Sequence, residues 1–297
     1  MLSSVEPDLA RRLWHLTEPY HAVTYFAPEA VRAWLDAGVP GFWRGYFAGR
    51  AAPLGRVPAE VVAAALYGFH PSAMVGRAIP DVWERISPEA ASQVRLAGAV
   101  AALDEALGPV TDDEAELSSL VRVVAEGAEV GGRVLFAAHA ALPWPAGWRP
   151  SLWHGITLLR EHRGDGHVAA LVAADVDGCE SHVLAAATGR SPRESTQPHR
   201  GWSDDDWSAA EARLKGRGLL GEDGAATDIG RSTREQLELA TDRAASRPWA
   251  ALAAGDLTRA EKLAARVVTP LALGGMIPEP NPIGIRPSTL GLSRGST

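Results

Sequence analysis

Apolar residues recur at helical spacing along most of this chain. Leu9, Leu13, Leu16 and Tyr20 fall near one face of a segment from Pro7 to Tyr25, which predicts a helix. A second helix is expected from Pro28, a favourable first-turn residue, to Gly38. The glycine-punctuated aromatic stretch GFWRGYFAGRAAPLG (Gly41 to Gly55) reads as a third helix with a loop, followed by a helix over Pro58 to Phe69. Pro71 to Leu107 predicts two helices divided at Ser87-Pro88. Asp112 to Leu142 predicts one long helix whose acidic first turn suits its dipole.

The run PWPAGWRP then interrupts the pattern. Beyond it, helices are expected over Ser151 to Arg163, Asp165 to Asp175 and Gly178 to Thr188. GRSPRESTQPHRG reads as a polar loop. Ser203 caps a further helix to Leu220, with Asp206 three residues on completing the cap. GEDGAATDIGRS, with Asp-Gly at its centre, predicts a small β-hairpin, and a long helix is expected from Thr233 to about Ala254. From Pro270 the chain is rich in Pro and Gly and aperiodic, a disordered or draped tail.

The two halves can be laid side by side. PEAVRAWLDAGVPG from Pro28 aligns with DGHVAALVAADVDG from Asp165, so that Leu35 falls on Val172, Val39 on Val176 and Gly41 on Gly178. The match is weak residue by residue and better in the order of elements, and on that order a duplication is expected. Short helices, a helix ending in Arg-Gly-Leu-Leu, a hairpin and Thr-x-x-Gly form the order of a winged helix. The expected architecture is therefore mainly α, with two winged-helix-like domains in tandem and a β-hairpin wing in the C-terminal half. The expected divisions are residues 1–142, a linker at 143–150, a second domain at 151–256, and a final helix with the Pro/Gly-rich tail at 257–297.

Residues 207–231, WSAAEARLKGRGLLGEDGAATDIGR, resemble the recognition helix and wing of MarR-type regulators. The stretch from about residue 5 to 255 also resembles an actinobacterial helix-turn-helix-like family of unknown function. The segments that carry this are EPYHAVTYFAPE (Glu18 to Glu29), GYFAGRAAPLG (Gly45 to Gly55), REHRGDGHVAAL (Arg160 to Leu171), RGWSDDDW (Arg200 to Trp207) and ATDRAASRPW (Ala240 to Trp249). These resemblances imply a fold. They imply no activity and no catalytic residue.

Charge changes what such a fold is expected to do. A helix that reads DNA places its N-terminal turn against base edges and phosphates. Here that turn is Asp204-Asp205-Asp206, followed by Glu211, and the chain carries a net charge of −7. DNA is thus not expected as a partner of this helix, although the aspartates also simply favour a helix N-terminus. The 46% hydrophobic and 22% charged composition is that of a globular chain. The lone Cys179 permits no internal disulfide. No leader peptide or membrane-spanning run is evident, and the cytoplasm is the expected compartment.

Candidate chemistry gathers in three places. Glu161-His162-Arg163-Gly164-Asp165-Gly166-His167 crowds charged groups at what reads as a helix break, with Glu180 and His182 on the next helix. His162, Asp165 and His167 are the first candidates for acid-base work. The spacing of the two histidines fits no familiar metal signature, and a junction held by an Arg-Asp pair is the plainer alternative. Glu18, His21 and Tyr25, spaced three and four apart, share a helical face, either as an acid-base set or as a seam between helices. Trp43, Tyr46 and Phe47 with Arg44 and Arg50 are candidates to line a pocket for a flat or anionic ligand, or to fill a tight helix junction; Tyr25, Arg163, Glu180, His182 and Trp202 are the further candidates for ligand contact.

The expected partner is a small-molecule ligand in a cavity between the halves, with acid-base catalysis as one possibility and a homodimer as another. No cofactor is expected, with metal and haem left open. The alternative is a DNA-binding regulator or repair relative that uses arginines outside the acidic helix.

Overall fold

The computed structural model describes residues 5–290. Part of the N-terminal segment read for a leader, and residues 291–297 of the expected tail, lie outside the described residues. The helices in chain order are α1 (Pro7–Phe26), α2 (Pro28–Asp36), α3 (Phe42–Ala51), α4 (Ala59–Ala65), α5 (Gly76–Ala78), α6 (Pro88–Leu107) and α7 (Asp112–Glu126). They continue as α8 (Val134–Ala140), α9 (Trp148–Ala173), α10 (Gly178–Ala187), α11 (Arg193–Arg200), α12 (Asp204–Gly216), α13 (Asp228–Ser246) and α14 (Ala254–Leu273). The fold is mainly helical, and there is no β-strand among the described residues. No helix among them is long and apolar enough to cross a membrane.

Helix α9 is the axis of the molecule, packing against α1, α6, α7, α8 and α13. The largest core joins Leu13, Tyr20 and Val23 of α1 to Leu103 of α6, Val121 of α7, Leu152, Trp153 and Ile156 of α9, and Leu263 and Val268 of α14. This core therefore draws on residues from both sides of the 143–150 segment. A second core gathers Phe47, Phe69, Val75, Ile79 and Trp83, and the C-terminal segment lays Ile277 and Ile285 onto it. A third, formed by Cys179, Leu184, Trp207, Leu214, Leu220 and Ala226, holds α10 and α12 together.

Several expectations are corrected. Helix α9 runs unbroken through Gly164 and Gly166. Two glycines inside a helix each cost about 1 kcal/mol relative to alanine, and here tertiary contacts outweigh that. Arg133 crosses at Gly166, donating to the carbonyls of His162 and, at 3.1 Å, of Ala244. A Cβ at Gly166 would stand 2.7 Å from the Arg133 guanidinium.

The long helix expected over 112–142 is split. Helix α7 ends at Gly127, and Gly132 takes a positive φ before α8 begins. The polar loop at 189–201 contains α11, which stops at the left-handed Gly201. The β-hairpin wing is reduced to one antiparallel bridge, Leu220 with Ala226. Thr227 already caps α13, accepting the Gly230 N–H at 3.0 Å, so no room is left for paired strands.

A tandem of two winged helices is not supported. In the first half the chain passes from α4 into the short turns Pro71–Val75 and Asp81–Glu84 with no counterpart of that bridge, and α1 is drawn into the shared core. Part of the tail is draped, as one of the two expectations had it. Asn281 pins residues 278–285 by donating to the Pro278 and Ile285 carbonyls at 2.8 and 2.7 Å.

Candidate functional site

Because α9 is continuous, Arg160, Arg163, Gly164 and His167 fall at three- and four-residue spacing on one face. That face forms one wall of a cavity of about 250 Å³. Trp14 of α1, Arg50 of α3, Gly68 and Phe69 of the turn after α4, His182 of α10, Arg190, Arg200 of α11, and Glu238 and Thr241 of α13 also line it. A second cavity of about 250 Å³ shares His167, His182, Arg190, Arg200 and Glu238 with the first.

Five arginines (Arg50, Arg160, Arg163, Arg190, Arg200) meet two carboxylates, Glu161 and Glu238, on the wall of the first cavity. Arg50 grips Glu161 at two points, 2.5 and 3.2 Å. Arg160 contacts Glu161 at 3.3 Å and Glu18 at 2.8 Å. Burial alone would raise the Glu161 pKa, but Arg50 and Arg160 override it and hold the carboxyl well below the usual carboxylate range. Arg163 pairs with Asp242 at 2.9 Å, just behind the wall, and with Glu238 at 3.4 Å, while its guanidinium lies over the Trp14 ring. Burial pushes Glu238 up, but Arg234 and Arg190 outweigh it and bring the carboxyl down to about 2.

The two histidines of the wall are neutral acceptors. Burial pulls His167 down to about 4 and His182 down to about 3. The Thr241 hydroxyl donates to the Leu237 carbonyl at 2.7 Å, so its oxygen is left to accept from His167 Nδ1 at 2.9 Å. His167 Nε2 thereby keeps its lone pair. By the same reasoning His182 donates through Nε2 to the Gly68 carbonyl at 2.9 Å, which leaves its Nδ1 unprotonated.

The expected site residues thus separate into groups. Arg50, Arg163, His167 and His182 meet in the cleft. Tyr25, Trp43 and Tyr46 line a neighbouring slot, where the Tyr46 hydroxyl accepts from Arg50 at 3.1 Å. Glu18 stands behind the cleft, bonded to Arg160 and to Trp14 Nε1 at 2.9 Å. His21 is fully buried, stacked on Trp153 and facing Arg95 at 3.3 Å. His162 lies edge-on to Phe136.

Asp165 caps α8 by accepting the Phe136 N–H at 2.9 Å, and burial raises it to about 6. Glu180 forms a capping box with Asp177 and pairs with Arg213 and Arg217. Trp202 donates to the Gly68 carbonyl at 3.1 Å. The acid-base set His162, Asp165, His167, His21 and Glu18 is therefore not brought together at one place. Among the described residues, no group of three or more His, Cys, Asp or Glu side chains is placed to hold a metal ion.

Residues 10–278 match a family described as a helix-turn-helix family. The chain belongs to that helix-turn-helix family. No curated protein and no solved structure matches it.

In this helix-turn-helix protein the acidic turn of α12 is occupied locally. Ser203 and Asp206 form a reciprocal capping box, and Asp204 accepts from Arg193 at 2.7 Å and from Gln197 at 3.0 Å. At the other end of α12, Arg213 and Arg217 are engaged by Asp177, Glu180 and the carbonyls of residues 174 and 175. Cys179 is buried beneath this unit, its thiol raised to about 12 by burial and by Asp177, far from an activated thiolate.

The residues that sequence reasoning missed are Arg160, Arg190, Arg200, Glu238 and Thr241. Arg160 was legible in the spacing 160, 163, 167, had the segment been read as one helix. Glu238 and Thr241 reach the cleft from α13, some seventy residues beyond α9 in the chain, and nothing local announces them.

Proposed function

We propose that this helix-turn-helix family member binds a small anionic molecule in the arginine-lined cleft between α1, α3, α9, α10 and α13. The observation that carries this is the excess of arginine over carboxylate on the wall of a concave, partly buried cavity. Concave sites with convergent, perturbed ionisable groups are where ligands bind. An Arg fork suits carboxylate or phosphate, and the Nε2 lone pair of His167 offers an acceptor for a hydroxyl or amide of the same ligand. Acid-base catalysis would fall to His167, the one member of the expected set on the cleft wall.

Calorimetric titration with pyrophosphate and citrate tests the reading. Saturable binding weakened at least tenfold by Arg163→Gln or Arg190→Gln supports it. Absence of binding to either anion at millimolar concentration counts against it.

Membership of a helix-turn-helix family favours a second reading, DNA binding. It would have to run through arginines outside α12, since Arg213 and Arg217 are already paired and the first turn is acidic. A mobility shift on mixed DNA across a salt series decides between the two, because phosphate contacts make affinity fall steeply with salt.

A further inference from the structure

Arg200 differs from the other arginines of the cleft. Arg50, Arg160 and Arg163 each face a carboxylate at 3.4 Å or less. Arg200 has no carboxylate within ion-pair distance among the described residues. Its Nη2 donates to the Pro282 carbonyl at 2.8 Å, its guanidinium lies 4.4 Å from the centre of the Phe69 ring, and its buried Nε has no partner. A half-buried cation without a counter-charge carries part of its desolvation cost uncompensated, and an incoming anion offsets that cost.

Arg200 also stands at a boundary. On one side is the cleft, and on the other a separate slot of about 440 Å³. One wall of the slot is the aromatic face of α3, with Phe42, Trp43 and Tyr46. The facing wall is the proline segment with Pro280 and Pro282. The size lies in the range of small-molecule sites.

The polar atoms around the slot are almost all committed. Asn281 donates to two carbonyls and accepts from the Ile283 and Ile285 N–H groups. The Ser195 hydroxyl donates to the Pro192 carbonyl, His199 Nδ1 to the Ser195 carbonyl, and the Tyr46 hydroxyl is taken by Arg50. Among the described residues, no acidic side chain lines the slot. Tyr46 registers the positive field: burial would raise its phenol, yet Arg50 and Arg200 bring it below the ordinary value.

We infer that the slot and Arg200 form a binding site for an aromatic carboxylate, its ring held between Trp43 and the proline segment and its carboxylate on Arg200. A flat apolar body matches walls of aromatic and proline rings, and one anionic end matches the one arginine of the cleft wall that has no carboxylate within ion-pair distance among the described residues. A cationic ligand meets an unfavourable field here, and a polyol finds few free partners. The inference rests on the small-anion reading of the cleft and names the class of ligand.

The test uses the full chain and three probes: 2-naphthoate, its neutral counterpart 2-naphthamide, and pyrophosphate, followed by tryptophan fluorescence and calorimetry. The expected result is saturable quenching by 2-naphthoate, with 2-naphthamide at least tenfold weaker. Arg200→Gln should weaken 2-naphthoate at least tenfold, and Trp43→Phe should remove most of the quenching. Ser195→Trp, which places a bulky ring in the slot and leaves the residue at 200 unchanged, should abolish 2-naphthoate binding and leave pyrophosphate binding in place. It answers the same question if the Arg200 variant does not fold. Arg259→Gln, at an exposed arginine that lines neither the cleft nor the slot, should leave 2-naphthoate binding unchanged. Pyrophosphate binding without 2-naphthoate binding overturns the inference and leaves the cleft reading intact. 2-Naphthoate binding unchanged in Arg200→Gln or Ser195→Trp also overturns the inference. Binding of neither anion overturns both.

Discussion

Arg50 on α3 and Glu161 on α9 form a two-point ion pair, with Nη2 to Oε2 at 2.5 Å and Nε to Oε1 at 3.2 Å, although they lie 111 residues apart. The pair is almost wholly removed from solvent, with the arginine side chain 11% exposed and the glutamate 1%. It fixes the floor of the cleft and ties the first half of the chain to its central helix. Removing one partner of a buried pair leaves the other charge stranded, at a cost of about 3–5 kcal/mol, whereas replacing both with apolar groups is often neutral. Glu161→Gln should therefore destabilise strongly in urea unfolding, and the double change Arg50→Met, Glu161→Leu should recover most of the loss. Equal destabilisation by the single and double changes would argue against a strongly coupled pair.

Stability should fall on mild acidification. His167 and His182 have folded pKa values of about 4 and about 3, both lowered by burial from the ordinary 6.5. The unfolded chain takes up protons that the folded chain refuses. The stabilisation is thus complete above pH 6.5 and is lost as pH falls from 6.5 toward 4. Asp165 works in the opposite sense: burial raises it to about 6, so its contribution grows as pH falls from about 6 toward 3.8. Other buried histidines, His139 and His154 at about 4 and His162 at about 3, add to the first effect, and the histidines should win. Thermal unfolding at pH 7.5 and pH 5 checks this. A lower midpoint at pH 5, with a smaller drop in His167→Gln, is expected; equal midpoints would count against buried neutral imidazoles.

Two local changes probe how α10 and α12 are held. Ser203→Ala removes the hydroxyl that accepts the Asp206 N–H at 3.1 Å and should cost about 1 kcal/mol in urea unfolding, as N-cap losses typically do. Gly178→Ala should cost more, about 1–3 kcal/mol, because its Cβ would stand 2.1 Å from the Tyr67 carbonyl oxygen and force α10 away from the first half. If Gly178→Ala proves as stable as the parent, the close seating of α10 on residues 67 and 68 is not required.

The sequence was most informative where a local signal decides the structure. Pro28 starts α2, Ser203 with Asp206 starts α12 as a capping box, and Thr227 with Gly230 marks a real boundary. It misled where tertiary contacts override local preference. Gly164 and Gly166 read as a break, yet Arg133 packed at Gly166 holds α9 together. Residues 193–200 read as a loop because they are polar and carry Pro198, yet they form the helix that presents Arg200. The cleft was half legible. Arg50, Arg163, His167 and His182 stood out by residue type, whereas Glu238 and Thr241 arrive from a distant helix with no local mark. The acid-base grouping of His162, Asp165 and His167 dissolved because the continuous helix splits it: His162 and Asp165 both face Phe136 at the start of α8, whereas His167 faces Thr241 of α13.

The central claim is that polar residues crowd around α9 to hold a small anion. The most direct measurement is the thermal midpoint of the full-length protein across a concentration series of pyrophosphate, citrate and 2-naphthoate at constant ionic strength, beside the Arg163→Gln and Arg200→Gln variants. A ligand that binds only the folded state raises the midpoint in proportion to the logarithm of its concentration above Kd. The account predicts such a rise with at least one of these anions, lost or much reduced in the variants. A midpoint that stays flat with all three, or that rises equally in both variants, would contradict it.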